Sequence, residues 1–313
     1  MTGSGRTRTT VHGDGSPTFT TIGAPIDSVG LGRAEPHGTE LSPGAVRSSG
    51  LARLGWADGG DLDVRIPDHD RDPATGLVGI DGVLATTDTL RTAVADLVRA
   101  GDRPFVLGGC CALLPGTLAG VRDVLGPVGL VYVDGHLDFY DGVTSPTGEA
   151  ADMPIAVLLG DGPAPWTERV APTPVVPTRA MAILGYHDLE ELEDVADQLP
   201  GKRAAGLFDA DAANIKAVGP DAVGRAAVDH VAAVAEHLWL HIDLDVLDQD
   251  VFPATDYLIS GGLDWDQLVA LVTPVARDSR LAGWSLSCYN PEKDPGGRDG
   301  RAIVAALERI FSG

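Results

Sequence analysis

Residues 128–141 read VGLVYVDGHLDFYD: six uncharged residues rich in valine, then an abrupt change to Asp134, His136 and Asp138. The apolar run is short and β-rich, the composition of a strand covered on both faces. Upstream lie a helical pattern, TTDTLRTAVADLVRAG (86–101), and a second strand-like run, RPFVLGG (103–109). The same alternation extends in both directions. FTTIG (19–23), DLDVRI (61–66), MAILGY (181–186), AAGLFD (204–209), LWLHIDLD (238–245) and AGWSLSCY (282–289) read as strands, and AVGRAAVDHVAAVAEH (222–237) reads as a helix. Strands alternating with helices at this spacing predict βαβ units, hence a mostly parallel α/β sheet with helices on both faces.

Nothing in the chain suggests a cut into two domains. Residues 1–16 are rich in Ser, Thr and Gly without hydrophobic period and are expected to be a flexible tail, with 17–313 a single domain. The proline-rich stretch WTERVAPTPVVPT (166–178) reads as an insertion.

The 313 residues are 44% apolar and 22% charged, which suits a large folded core. Lys plus Arg number 23 against 45 Asp plus Glu, a net charge of -22 that repels phosphate backbones and anionic lipid. Nucleic acid and membranes are therefore poor partners. No run approaches the roughly 18 apolar residues of a membrane helix, and the polar start lacks a signal-peptide core, so a cytoplasmic protein is expected. Three cysteines, two of them adjacent (Cys110 and Cys111), predict reduced thiols rather than a disulfide framework.

In a parallel sheet ligands gather beyond the carboxyl ends of the strands. Four runs end there in unusual polar sequence: FVLGGCC (105–111), LVYVDGHLDFYD (130–141), LHIDLDVLDQD (240–250) and WSLSCYNPEKD (284–294). Asp134, His136 and Asp138 are spaced by two, so an extended segment turns all three toward one point, and Asp243 and Asp245 repeat the device. Either motif alone is usually a solvated loop or a helix cap. Together, at the ends of two buried strands, so many carboxylates cannot all stay ionised without a cation. Two divalent ions bridged by carboxylates, roughly 3.5 Å apart, would ionise a water near neutral pH, and hydrolysis is the natural chemistry.

At these residues the sequence resembles the ureohydrolase superfamily of arginases, agmatinases and formimidoylglutamases. The similarity runs in order through IGAPID (22–27), SPGAVR (42–47), Gly108 and Gly109, DGHLD (134–138), TGEAADMPIAVLLG (147–160), DLDVLD with FPAT (243–255), GGL (261–263) and YNP (289–291). It implies a three-layer α/β/α sandwich around about eight strands, a small-molecule substrate, usually a homo-oligomer, and two divalent ions, Mn²⁺ in most relatives. One ion would be held by Cys111, Asp134, Asp138 and Asp243, the other by His136, Asp134, Asp243 and Asp245, with Asp134 and Asp243 bridging. Asp138 would also orient the attacking water. Asp248 would fix loop or ligand geometry from behind. His241 is either such a residue or a satisfied core histidine.

Three departures from the family pattern concern chemistry. Cys111 stands where the family has a ligand histidine, with Cys110 where an Asp is usual; a thiolate suits Zn²⁺ or Fe²⁺ better than Mn²⁺. Ala151 falls where arginases carry a proton-shuttling histidine, leaving Glu149 as the nearest candidate acid, unless it only serves a helix N-terminus. Cys288 stands where a glutamate grips a guanidinium, and a neutral thiol offers no charged bidentate contact. It is a substrate contact, a filler or, least favoured, a nucleophile. Thr147 occupies a head-group position, and Asp188 and Glu190 lie in the loop that reads an α-amino group, unless they cap the following helix. Tyr140 stands where arginases have Asn.

These readings give a dinuclear-metal hydrolase of a carbon–nitrogen bond in an amidine, amide or guanidine-derived molecule, an N-hydroxylated or N-substituted guanidine rather than plain arginine. The alternative is a metal-poor, inactive relative that binds or assembles.

Overall fold

Eight strands form one sheet in the order β2-β1-β3-β8-β7-β4-β5-β6, and every neighbouring pair is parallel. The structure is a computed structural model that describes residues 18–28 and 38–311, so the segment expected to be a tail lies outside the described residues. The strands are β1 Thr20–Ala24, β2 Ala57–Asp61, β3 Pro104–Gly108, β4 Val128–Val133, β5 Met181–Leu184, β6 Phe208–Ala210, β7 His237–Asp243 and β8 Leu281–Ser287. All residues of β3 and β4 are buried. That burial explains their unbroken apolar sequence.

The helices run between strands, as parallel pairing requires. Ile80–Ala100 packs on Leu114–Leu125, and Pro220–Ala232 packs on Trp265–Ala276. The last of these starts at a capping box in which the Asp264 carboxylate accepts from the Gln267 amide while the Gln267 side chain accepts from the Asp264 amide. No helix of the described residues is long and apolar enough to cross a membrane.

Two expectations need correction. The strand read at 61–66 forms earlier, over Ala57–Asp61, an edge strand whose residues are all exposed. Val64 and Ile66 are buried, but from an irregular segment, so their alternation reflects burial without pairing. The stretch at 166–178 is partly helical, since Ala164–Arg169 is a helix. Arg91 and Arg122 then hold its carbonyls, with the Arg91 guanidinium donating to Arg169 and the Arg122 guanidinium to Val170 and Pro172.

The strand order positions the site. β3, β8, β7 and β4 are adjacent at the centre, and their carboxyl ends deliver four polar loops to one edge. Register does the rest. Tyr132 on β4 pairs with His241 on β7, which pairs with Ser285 on β8, so these three side chains form one row across the sheet. Two residues on, Asp243 pairs with Ser287.

Candidate metal centre

Two glycines allow the polar loops to meet. A Cβ on Gly135 would lie 2.8 Å from the carbonyl oxygen of Asp245, so only a residue without a side chain brings the 134–138 loop against the 243–245 turn. A Cβ on Gly109 would lie 1.6 Å from the carbonyl of Ile26, which fixes the path of the chain into Cys110 and Cys111. The Gly135 amide then donates to Asp245 Oδ1 (3.1 Å), the Asp245 amide to Asp243 Oδ1 (2.9 Å) and the His136 amide to Asp134 Oδ1 (2.7 Å).

Three overlapping groups of ligand atoms result, each with its atoms within 4.8 Å of one another: Cys111, Asp134, His241 and Asp243; Asp134, His136 and Asp245; and Asp243, Asp245 and Cys288. Cys111 Sγ lies 2.6 Å from Asp243 Oδ2 and 3.6 Å from Asp134 Oδ2. His136 Nδ1 is 3.4 Å from Asp134 Oδ1 and 3.3 Å from Asp245 Oδ2, while its Nε2 is 3.4 Å from Asp188 Oδ2. All these acids but Asp188 are buried. They form the floor of a cleft of about 310 Å³ whose walls include Tyr140, Thr147, Glu149, Glu191 and Tyr257.

The electrostatics reflect acids crowded away from water. Burial, then the charges of Asp134 and Glu191, raises Asp138 well above the usual carboxyl range; burial, then Asp243, does the same to Asp245. His136 is opposed by burial, yet the carboxylates of Asp245 and Asp134 outweigh it and push its pKa well up. Burial, the bond to Cys288 and the charge of Asp243 hold the Cys111 thiol up. Burial lowers His241 to about 4, so its ring is neutral. Left to itself the floor keeps protons, and a divalent cation would take their place with ionised oxygen and sulfur donors. Asp134, Asp243 and Asp245 each belong to two of the three donor groups, an overlap that suits adjacent ions, so the residues present fit the expected metal.

The remaining predicted residues are placed as follows. Asp138 lines the cleft but, among the described residues, joins none of the three ligand groups. Its Oδ2 accepts a hydrogen bond from the Tyr132 hydroxyl, and it sits at φ 52°. Asp188 caps the helix Leu189–Asp194 through the amides of Glu190 and Glu191 and also faces His136. Glu149 makes no side-chain cap at the turn it precedes; its carboxylate accepts from the Tyr257 hydroxyl at 2.7 Å. Thr147 donates to Asp152 (3.0 Å). Asp248 accepts from the amides of Asp250 and Gly261, a loop clasp. Cys288, at φ 63°, directly follows β8 and lies beside the floor, and Cys110 packs away from it against Ser28.

Several functional neighbours escaped the sequence reading. Tyr132 lies two residues before Asp134 and so on its face, a signal available in VYVD. Ser285 and Ser287 alternate in the same way in WSLSC. Glu191 is the carboxylate of GYHDLEELE that turns inward, and Glu190 is exposed. Glu191 accepts from the amides of Leu137 (2.5 Å) and Phe139 (3.3 Å), clamping the loop around Asp138.

Known proteins resemble this chain over nearly its whole described length. The model of the arginase family matches residues 18–312. An arginase of Brevibacillus brevis is 28% identical over 296 residues, covering 93% of this chain and 96% of its own. The crystal structure of arginase from Bacillus caldovelox superposes with a TM-score of 0.82 at 25% identity, over 95% of this chain and 98% of that one. Formimidoylglutamase from Bacillus subtilis shares the fold, with a TM-score of 0.72 at 18% identity over 95% and 87%.

Proposed function

This chain belongs to the arginase family, and on that premise we propose that it is a dinuclear-metal hydrolase of a carbon–nitrogen bond in a substituted guanidine, amidine or amide. The observation that supports the reading is that the three donor groups overlap pairwise, through Asp134, Asp243 and Asp245, so that neighbouring cation positions would have carboxylates in common. Cys111, Asp134, Asp138 and Asp243 would hold one ion and His136, Asp134, Asp243 and Asp245 the other. Mn²⁺ is the ion the resemblance implies; the Cys111 thiolate admits Zn²⁺ or Fe²⁺. When bound, the pair supplies an activated water near neutral pH and positive charge at the reacting carbon.

The chain's own groups orient that chemistry. His136 turns Nδ1 to the carboxylates while its Nε2 faces Asp188 Oδ2 at 3.4 Å, a charge contact that orients the ring. Tyr132 and Glu191 hold Asp138 in its left-handed conformation with one oxygen engaged. Glu149, buried in the cleft wall beside the Tyr257 hydroxyl, is placed to return a proton to the departing amine. Thr147 and Asp188 would meet the amino-acid end of the substrate.

Cys288 argues for the substrate class. Its thiol stands beside the floor; the hydrogen bond with Cys111 favours the thiolate, but burial and the neighbouring Asp243 and Asp245 outweigh it and raise the thiol pKa. An unmodified guanidinium would find no carboxylate clamp there, whereas a less basic N-hydroxylated or N-substituted guanidine needs none. The same reading carries with it a cytoplasmic homo-oligomer. The test is a screen of guanidino and amide compounds on metal-loaded protein for released urea, ammonia or amine. Turnover of a substituted guanidine supports the assignment. Exclusive turnover of arginine refutes the substrate class, and a protein that binds at most one ion and hydrolyses nothing is instead an inactive binding subunit.

A further inference from the structure

We propose that His241 is itself a metal ligand, so that Cys111 Sγ, His241 Nε2, Asp134 and Asp243 form a thiolate–imidazole site that takes Zn²⁺ or Co²⁺ in preference to Mn²⁺. The inference rests on the reading that the cleft floor binds divalent ions, and it changes which residues hold the one beside Cys111.

His241 is fully buried on β7, two residues before Asp243 and on the same face. Its ring is stacked on Tyr132 with centroids 5.0 Å apart, which fixes its plane. Nδ1 lies 2.7 Å from Ser285 Oγ, which also accepts from the Trp239 indole at 3.0 Å. With its proton on Nδ1, donated to Ser285, the ring presents the Nε2 lone pair to Cys111 Sγ, 3.4 Å away, and to the Ser287 hydroxyl, 3.2 Å away, a contact the ion would displace. A metal-bound imidazole held at its far nitrogen by an oxygen is the common arrangement.

The spacing suits the ion. Bond lengths of about 2.3 Å to sulfur and about 2.0 Å to nitrogen or oxygen put sulfur about 3.5 Å from each other donor of a tetrahedral site. Cys111 Sγ lies 3.4 Å from His241 Nε2 and 3.6 Å from Asp134 Oδ2. The remaining edge, 2.6 Å to Asp243 Oδ2, is a thiol–carboxylate hydrogen bond, and the ion would replace its proton. Asp138, whose Oδ2 is engaged by Tyr132, stays outside this group. One sulfur and one nitrogen among four donors select a borderline ion over hard Mn²⁺.

The test titrates metal-free, full-length protein with Co²⁺. A thiolate-to-cobalt charge-transfer band with intense tetrahedral visible bands is expected at the first equivalent, displaced by Zn²⁺ and not by a large excess of Mn²⁺. His241→Asn, whose amide can still reach Ser285, should weaken Co²⁺ binding by roughly tenfold or more and alter the visible bands. Wild-type affinity and spectrum in that variant overturn the proposal and leave the metal centre standing. Should the variant not fold, X-ray absorption of the His136→Ala protein with one Zn²⁺ decides. One sulfur with one imidazole supports the proposal, and sulfur without imidazole overturns it. A wild-type protein that takes up no cation removes both this site and the reading beneath it.

Discussion

Tyr132 donates its phenol proton to Oδ2 of Asp138, six residues further along the chain, while its ring lies flat on His241. One side chain thus ties the 134–138 loop to the strand below it. Tyr132→Phe keeps the stacking and removes the donor, leaving a buried carboxyl without its partner. The expected cost is about 1–3 kcal/mol of stability in denaturant unfolding, with a fall in turnover. Unchanged unfolding and activity would show the bond to be incidental.

Glu191 acts on the same loop from the other side by accepting from Leu137 and Phe139. Glu191→Ala strips both backbone amides of their acceptor and should destabilise by about 1–3 kcal/mol, whereas Glu191→Gln, which keeps one acceptor oxygen, should cost less. The Ala variant should also lose more activity than stability alone accounts for, because Asp138 is held at φ 52° by that clamp. Equal unfolding curves for the two variants contradict the clamp.

Cys288→Glu places a carboxylate where the thiol now faces the floor. It should raise turnover of unmodified arginine relative to a substituted guanidine; the left-handed backbone at φ 63° is already borne by a residue with a Cβ and sets no new penalty. An unchanged ratio of kcat/KM between the two substrates counts against Cys288 as a specificity residue.

Asp152 gives a pH prediction. Burial raises its carboxyl to about 7, and Oδ1 is buried without a hydrogen-bond partner among the described residues, while Oδ2 accepts from Ser145 and Thr147. The folded state therefore binds the proton more tightly than the unfolded chain, where the ordinary value is 3.8. Stability is largest below that ordinary value and falls as pH rises toward 7, by up to about 4 kcal/mol. Metal-free Asp152→Asn should lose much of this slope between pH 4 and 7. Glu191, raised to about 7 by burial, and Asp138 and Asp245, raised by burial in the same floor, should keep the remainder. Identical pH profiles for wild type and variant would sink the assignment.

Much of the architecture was legible because buried parallel strands leave unbroken apolar runs, as in VGLVYV and LWLHI, and because site residues follow such runs. DLDVRI misled for the complementary reason: an exposed edge strand needs no apolar face, while Val64 and Ile66 are buried without pairing. Within the site, spacing by two found Asp134, His136, Asp243 and Asp245. It also pointed to His241, two residues before Asp243, but not to its place in a row with Tyr132 and Ser285, because that row is set by register between strands far apart in sequence. Nor could spacing tell that Glu191 is buried while Glu190 stays exposed at the cleft, since one step along a helix decides it.

The central claim is that shared carboxylates hold two cations. Protein stripped with chelator, re-equilibrated separately with Mn²⁺ and Zn²⁺ and freed of unbound ions, should contain two ions per chain by elemental analysis with at least one of the metals, and Asp243→Ala no more than one. Wild-type protein retaining less than one equivalent of either metal would contradict the account at its root.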